Sequence, residues 1–193
     1  MVDGLRVLGI AGSLRGRSFN RALLRAAQEL APPGMTIDMH DIRDIPPYDG
    51  DVEAAGDPEP VARLKQVIRD ADALLIATPE YNYGIPGVLK NAIDWASRPP
   101  KTTPLRKKAG AILGASTGGG GTIRAQLALR QTLGGNETYL LLSPQVFVAA
   151  AADKFDSELR LTDEKTRDAV RRLLEALADW TRLTSATAGR RNP

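Results

Sequence analysis

Apolar residues fall along this chain in two alternating patterns: short unbroken runs, and longer stretches in which they recur every three or four positions. The runs Leu5 to Ala11 (LRVLGIA), Ala73 to Ala77 and Ala109 to Ala115 (AGAILGA) have the continuous hydrophobicity of strands buried on both faces of a parallel sheet. Met35 to His40 (MTIDMH) alternates like a half-buried strand, and Thr138 to Leu142 with Gln145 to Ala149 read as one broken strand. Between these runs the spacing turns helical. Phe19, Leu23, Ala26, Ala27 and Leu30 share one face before Pro32-Pro33-Gly34 stops the helix. Val61, Leu64, Val67, Ile68 and Ala71 mark a second helix, and Val88, Leu89, Ala92, Ile93 and Ala96 a third. Thr122 to Thr132 reads as a fourth, and Val170, Leu173, Leu174, Leu177, Trp180 and Leu183 line a closing amphipathic helix. Asp41 to Pro60, rich in Asp, Pro and Gly, is expected to be a long functional or mobile loop.

Five strands alternating with five helices predict an α/β fold, a doubly wound parallel sheet with helices on both faces. The short βαβ units and the single loop of phosphate-binding character after the first strand fit a flavodoxin-like, five-stranded sheet of order 2-1-3-4-5. No linker or composition shift divides the chain. Residues 1–184 are expected to form one domain and residues 185–193 a frayed tail. In such a sheet the ligand belongs at the carboxyl ends of the strands, beside strand 1.

Composition narrows the chemistry. With 193 residues, 42% hydrophobic and 25% charged, the chain can bury a full core. It has no cysteine and a single histidine, His40, which excludes disulfides and thiolate sites and argues against a zinc centre or a histidine-based triad. His40 reads as a structural or solvated strand-end residue. The net charge of +3 comes from scattered basic residues, not the continuous patch with interleaved aromatics that a nucleic acid would want. No apolar run approaches the roughly 20 residues of a membrane span, and the start, MVDGLRVLGIAG, lacks the pattern of a signal peptide. A cytoplasmic protein without membrane or nucleic-acid partners is expected.

Three loops carry the candidate chemistry. The first, Gly12 to Asn20, joins the first strand to its helix, where free N–H groups and the positive end of the helix dipole attract an anion. Ser13, Ser18 and Asn20 can add neutral donors, and Arg15 or Arg17 charged ones; alternatively Ser18 is simply a helix cap. The loop is neither G-x-G-x-x-G nor G-x-x-x-x-G-K-[ST], which favours a mononucleotide such as FMN. The second loop, Pro79, Glu80, Tyr81, Asn82, Tyr83 and Gly84, has the aromatics and amide that suit a flat polar ring; its bland reading is a loop packed on the sheet edge. Glu80 reads as a positioning or interface residue before a general base. The third, Ser116-Thr117-Gly118 with Gly119 to Gly121, permits close backbone approach to a ligand or is only a flexible turn.

Together GSLRGRSFN (Gly12–Asn20), TPEYNYGIPGVLKNAIDWASR (Thr78–Arg98) and STGGGGTIRAQLALRQ (Ser116–Gln131) resemble the NADPH-dependent FMN reductase family, in its chromate and quinone reductase branch. The resemblance implies bound FMN, reduction by NADPH or NADH, and small-molecule acceptors: quinones, azo compounds, metal oxyanions such as chromate, or free flavin. It implies that Ser13, Arg15, Ser18, Phe19 and Asn20 surround the phosphate. By the same carry-over Pro79, Glu80, Tyr81, Asn82 and Tyr83 flank the ring, with Ser116, Thr117 and Gly118 on its other side. No side chain need be catalytic, because hydride passes through the flavin N5. A homodimer covering the flavin is implied, built from the third helix, which carries Trp95, and the loops before it. Some relatives join dimers into homotetramers through polar residues where this chain has Leu127 and Gln145. Arg15, Arg17 and the Arg106-Lys107-Lys108 cluster are the cations available to read a 2′-phosphate. A flavodoxin-type electron carrier and a non-catalytic flavin sensor are the alternative functions.

Overall fold

The chain was described in a computed structural model covering residues 4–189. Strand β1 (Leu5–Ala11) lies between β2 (Met35–His40) and β3 (Ala73–Ala77), and β4 (Ala109–Ala115) follows β3. The fifth position is shared by β5 (Tyr139–Leu140) and β6 (Val146–Val148), both parallel to β4. The order is therefore β2-β1-β3-β4-β5, all parallel, as expected from the short βαβ units and the single phosphate-type loop after the first strand. The broken strand is also as expected. Tyr139 pairs with Ala109, and Val146 with Leu113 further along β4. Between them stands Pro144, which has no N–H to give the ladder.

Side chains leave each strand alternately to two faces, so a continuous apolar run fills two cores at once. On one face α1 (Phe19–Glu29) and α6 (Glu164–Gly189) bring Leu23, Leu24, Leu173 and Leu177 against Val7, Leu75 and Leu113. On the other, α3 (Glu59–Asp70), α4 (Gly87–Ala96) and α5 (Ile123–Gly135) bring Leu64, Ile68, Leu89, Ile93 and Leu133 against Ile10, Ile76 and Ile112. β4 is built of Ala and Gly as much as of large residues because its neighbours come so close. A Cβ on Gly114 would collide with the Thr122 hydroxyl and with the backbone carbonyl of Thr78.

The structure differs from the sequence expectation in four places. The segment 41–60 is not free: it contains α2 (Gly50–Ala55) and is fastened to α4. Asn91 accepts from the Tyr48 N–H (2.8 Å) and donates to the Pro46 carbonyl (2.8 Å), which also takes the Trp95 indole N–H (2.8 Å). Arg98 pairs with Glu53 at 3.0 Å. Trp95 is thus fully buried inside the chain, edge-on to Tyr48, and is not available to build a dimer face. α5 ends at Gly135 instead of Thr132, since Gly134 and Gly135 continue the helix rather than stopping it. α6 runs to Gly189, past Thr184, where fraying was expected; residues 190–193 lie outside the described residues.

Two further interactions fasten helix ends to the segments beside them. Lys108 donates to the carbonyls of Arg69 (3.3 Å) and Ala71 at the end of α3. Burial holds its pKa below the usual lysine range, against the opposing pull of Asp72 and Asp70. Asp163 caps α6, accepting from the Thr166 hydroxyl (2.6 Å), the Thr166 N–H (2.9 Å) and the Lys154 ammonium (2.9 Å). The Thr166 hydroxyl, then Lys154, hold its carboxyl down to about 2, against an ordinary 3.8.

Gly114→Ala is expected to lower the unfolding free energy by about 1–3 kcal/mol or more, because a carbonyl cannot step aside; urea titration checks it. Asp163 is an acid whose folded pKa is depressed. Its contribution is complete above pH 3.8 and is lost as the pH falls through about 2. The gap in melting temperature between wild type and Asp163→Asn should therefore be widest above pH 3.8 and close towards pH 2.

Candidate active site

The carboxyl ends of β1, β3 and β4 converge on one cavity of about 140 Å³. Its first wall is the turn into α1, contributing Ser13, Arg15 and Ser18, with Phe19 and Asn20 from the helix itself. Ser18 is the N-cap of α1: its hydroxyl oxygen accepts from the N–H groups of Asn20 (3.2 Å) and Arg21 (3.4 Å). The cap and donor readings are compatible, since the hydroxyl proton remains to be given. No backbone N–H from Ser13 to Ser18 has a hydrogen-bond partner among the described residues. A row of unspent donors at the positive end of a helix is an anion site.

Asn20 is buried and does more than face the cavity. Its Nδ2 donates to the Ala115 carbonyl (2.8 Å) and its Oδ1 accepts the Ala115 N–H (2.9 Å), tying the start of α1 to the end of β4. One amide N–H is left over. Arg15 is exposed and has no partner among the described residues, whereas Arg17 donates to the Ser157 carbonyl (2.7 Å), away from the cavity. Of the two arginines, only Arg15 lines the site.

The second wall is Pro79, Glu80 and Tyr81. The Tyr81 and Gly84 backbones exchange two hydrogen bonds (3.2 and 3.0 Å), closing a two-residue hairpin. Asn82 (φ 48°) and Tyr83 (φ 66°) both take positive φ, the arrangement of a type I′ turn. A tyrosine in that region is strained by about 1 kcal/mol or more. The Tyr81 hydroxyl reaches Ser13 Oγ at 3.3 Å. Tyr83 is 71% exposed, with the Arg124 guanidinium stacked on its ring at 4.1 Å.

Glu80 points the other way, its side chain only 7% exposed. It accepts from the N–H groups of Arg124 (2.9 Å) and Ala125 (3.2 Å) at the start of α5 and from Arg124 Nε (2.6 Å). Burial pushes its pKa up, but the Arg124 side chain and these backbone donors outweigh burial and hold the carboxyl below its usual range. A carboxylate held ionised by such partners is a poor general base.

The third wall is Ala115, Ser116 and Thr117. Ser116 Oγ accepts from the Gly118 N–H (3.1 Å), and Gly121 takes φ 59° against the backbone of Phe147 and Ala149. Of the residues expected here, Asn82, Tyr83 and Gly118 stand outside the cavity lining. Sequence reasoning missed Ala115, which contributes only as backbone, and Arg124, which a contact with an acid forty-four positions away brings to the rim. The Arg106-Lys107-Lys108 cluster precedes β4 and so lies at the opposite end of the sheet, about 20 Å away by strand rise; it cannot serve this site. His40 is half-buried at the end of β2, its pKa lowered by burial and then by Arg63, with Asp41 opposing.

Comparison with known proteins shows what the chain is similar to. The family model described as NADPH-dependent FMN reductase matches residues 5–153. An NAD(P)H-dependent FMN reductase of Pseudomonas aeruginosa is 53% identical over 182 residues, 94% of this chain and 98% of that protein. A 2-hydroxy-1,4-benzoquinone reductase of a Burkholderia species is 39% identical, over 92% of this chain and 97% of its own. Among solved structures, FerB, a flavoenzyme NAD(P)H:(acceptor) oxidoreductase from Paracoccus denitrificans, superposes with a TM-score of 0.85 at 36% identity, covering 93% of this chain and 98% of its own.

The donor set fits a terminal phosphate, and Arg15 is the test of it that leaves the fold alone. Arg15→Ala should weaken binding of FMN to the apoprotein roughly tenfold to a hundredfold, as loss of a charge-assisted bond does. The melting temperature of the apoprotein should not move. Fluorescence titration and thermal unfolding read the two.

Proposed function

The chain belongs to the NADPH-dependent FMN reductase family, and from that premise we propose that it moves a hydride from NAD(P)H, by way of FMN, to quinones. The observation that carries this reading is the convergence, at the carboxyl ends of β1, β3 and β4, of unspent N–H donors and an aromatic turn around one cavity. FMN, when bound, supplies a ring able to take up a hydride and release its electrons to a second substrate.

The protein's part is to bind, orient and exclude. The free N–H groups of residues 13–18, the Ser18 hydroxyl proton, the remaining Asn20 amide N–H and the Arg15 guanidinium would hold the phosphate. The cavity, about 140 Å³, is smaller than the roughly 300 Å³ at which whole-ligand pockets begin, so it would take the compact anionic end and leave the ring to its mouth. There Pro79 and Tyr81 form one wall and Ser116 and Thr117 the other. The N–H groups of Thr117, Gly119 and Gly120, without a partner among the described residues, would be available to stabilise negative charge on a reduced ring. No side chain acts as acid or base, since Glu80 is held ionised and turned towards α5.

The same reading places the protein in the cytoplasm, where its reductant is kept, and pairs it into a homodimer. In support, Tyr81 and Tyr83 on the turn and Ile123 and Leu127 on α5, which Glu80 and Arg124 tie to that turn, are all exposed. Among the described residues no helix is long and apolar enough to cross a membrane. A second copy set against the turn and α5 would shield one side of the ring; exposed Leu127 would then also decide whether dimers join into tetramers. Chromate and azo compounds enter as further acceptors because an open stacking site discriminates weakly.

Anaerobic stopped-flow mixing tests the function. NADPH or NADH should bleach the bound flavin in one phase without any partner protein, and a quinone should then restore the colour. A flavin that stays oxidised in the presence of both nucleotides would point instead to an electron carrier or a sensor. Sedimentation should give twice the chain mass or four times it, and a monomer would contradict the pairing.

A further inference from the structure

The turn beside the ring is bolted on both sides. Towards the phosphate loop, the Tyr81 hydroxyl reaches Ser13. Towards α5, Glu80 spends its whole carboxylate: Oε2 takes two backbone N–H groups at the helix start, and Oε1 takes Arg124. Arg124 in turn lies on the ring of Tyr83, at the exposed tip of the turn. The strained residues Asn82 and Tyr83 therefore sit between two anchors, which is how a positive φ at a bulky residue persists. α5 begins directly after the glycine-rich segment that follows the opposite wall, so Glu80 also fixes the far end of the loop that carries Ser116 and Thr117.

A buried carboxylate normally costs stability unless its partners repay the lost hydration. Here it is neither aimed into the cavity nor replaceable as a helix cap by a residue of α5 itself, since Thr122 at that position makes no side-chain cap. Its one distinctive product is the relative placement of the two walls and of Arg124.

We propose that Glu80 is a positioning residue for the ring end of the site: acting through Arg124 and Tyr83, it sets the width of the mouth through which nicotinamide and acceptor reach the flavin. This rests on the flavin reading above. The phosphate loop is anchored independently, by Asn20 on Ala115, so loosening the mouth leaves the anionic end of the cofactor held.

The experiment compares wild type, Glu80→Gln, Arg124→Gln and the double variant as holoenzymes. It reads KM for NADPH and a quinone, kcat, the FMN dissociation constant by fluorescence titration of each apoprotein, and the melting temperature. Losing the charged pair should raise both KM values about tenfold, with kcat and the FMN dissociation constant within about threefold of wild type. Arg124→Gln should reproduce most of the KM change, and the double variant should be little worse than Glu80→Gln, because the two residues act as one unit. Unchanged KM with a lowered melting temperature would overturn the proposal and leave Glu80 a stability residue alone. Additive effects in the double variant would overturn the route through Arg124. Should Glu80→Gln fail to fold, Arg124→Gln carries the test, since it keeps both backbone bonds of the carboxylate. Wild-type protein that binds no FMN would overturn the flavin reading together with this one, whereas normal wild-type turnover with unaltered variants overturns only this one.

Discussion

The arrangement at the strand ends depends on one buried amide. Asn20 gives a hydrogen bond to the Ala115 carbonyl and takes one from the Ala115 N–H, so a single side chain satisfies both backbone groups at the point where β4 leaves the sheet. Without it those groups would be buried and unpaired, at about 1–3 kcal/mol each. The bond does more than satisfy them. It fixes the start of α1, and with it the row of free N–H groups, against the loop that begins at Ser116. The phosphate loop and the wall that begins at Ser116 are thus held to one another, although Asn20 and Ala115 are 95 positions apart in the chain.

Around that fixed point the site divides its labour by stiffness. The anion end uses backbone donors held by a capped helix, a geometry that costs little to keep ready. The ring end uses a strained hairpin held from both sides, by Tyr81 on Ser13 and by Glu80 on α5. Close approach of the strands beneath makes this possible. Gly12 lies against Leu89 and Pro79, and Gly114 against Thr78 and Thr122, leaving no room for a side chain at either position. Parallel strands so tightly stacked present their three loops within reach of a single small ligand.

The parts of this architecture that depend on local periodicity were legible in the sequence. Continuous apolar runs gave the parallel strands, the short βαβ units with one phosphate-type loop after the first strand gave their order, and helical spacing gave the two packed faces. The break in the fifth strand showed as an interruption in its apolar run. The candidate site was legible where a turn speaks for itself: the Ser, Arg and Asn content of the loop after β1, and the aromatic turn after Pro79. What was not legible depends on contacts between distant residues. Asp41 to Pro60 reads as a loop because nothing in it reveals that Asn91, Trp95 and Arg98 will hold it down. For the same reason the helix carrying Trp95 could be read as part of a dimer face although Trp95 is core, and the choice between Arg15 and Arg17 stayed open until Ser157 claimed Arg17. The role of Glu80 is of this kind too, since its partners lie on a helix far along the chain.

The central claim is that the loop after β1 is a phosphate site and that this end of the cavity dominates cofactor binding. Titrating the apoprotein with FMN and with riboflavin, which differ only in the phosphate, tests it most directly. The account predicts that FMN binds at least about a hundredfold more tightly, the worth of several charge-assisted bonds taken together. Equal affinities for the two flavins would contradict it.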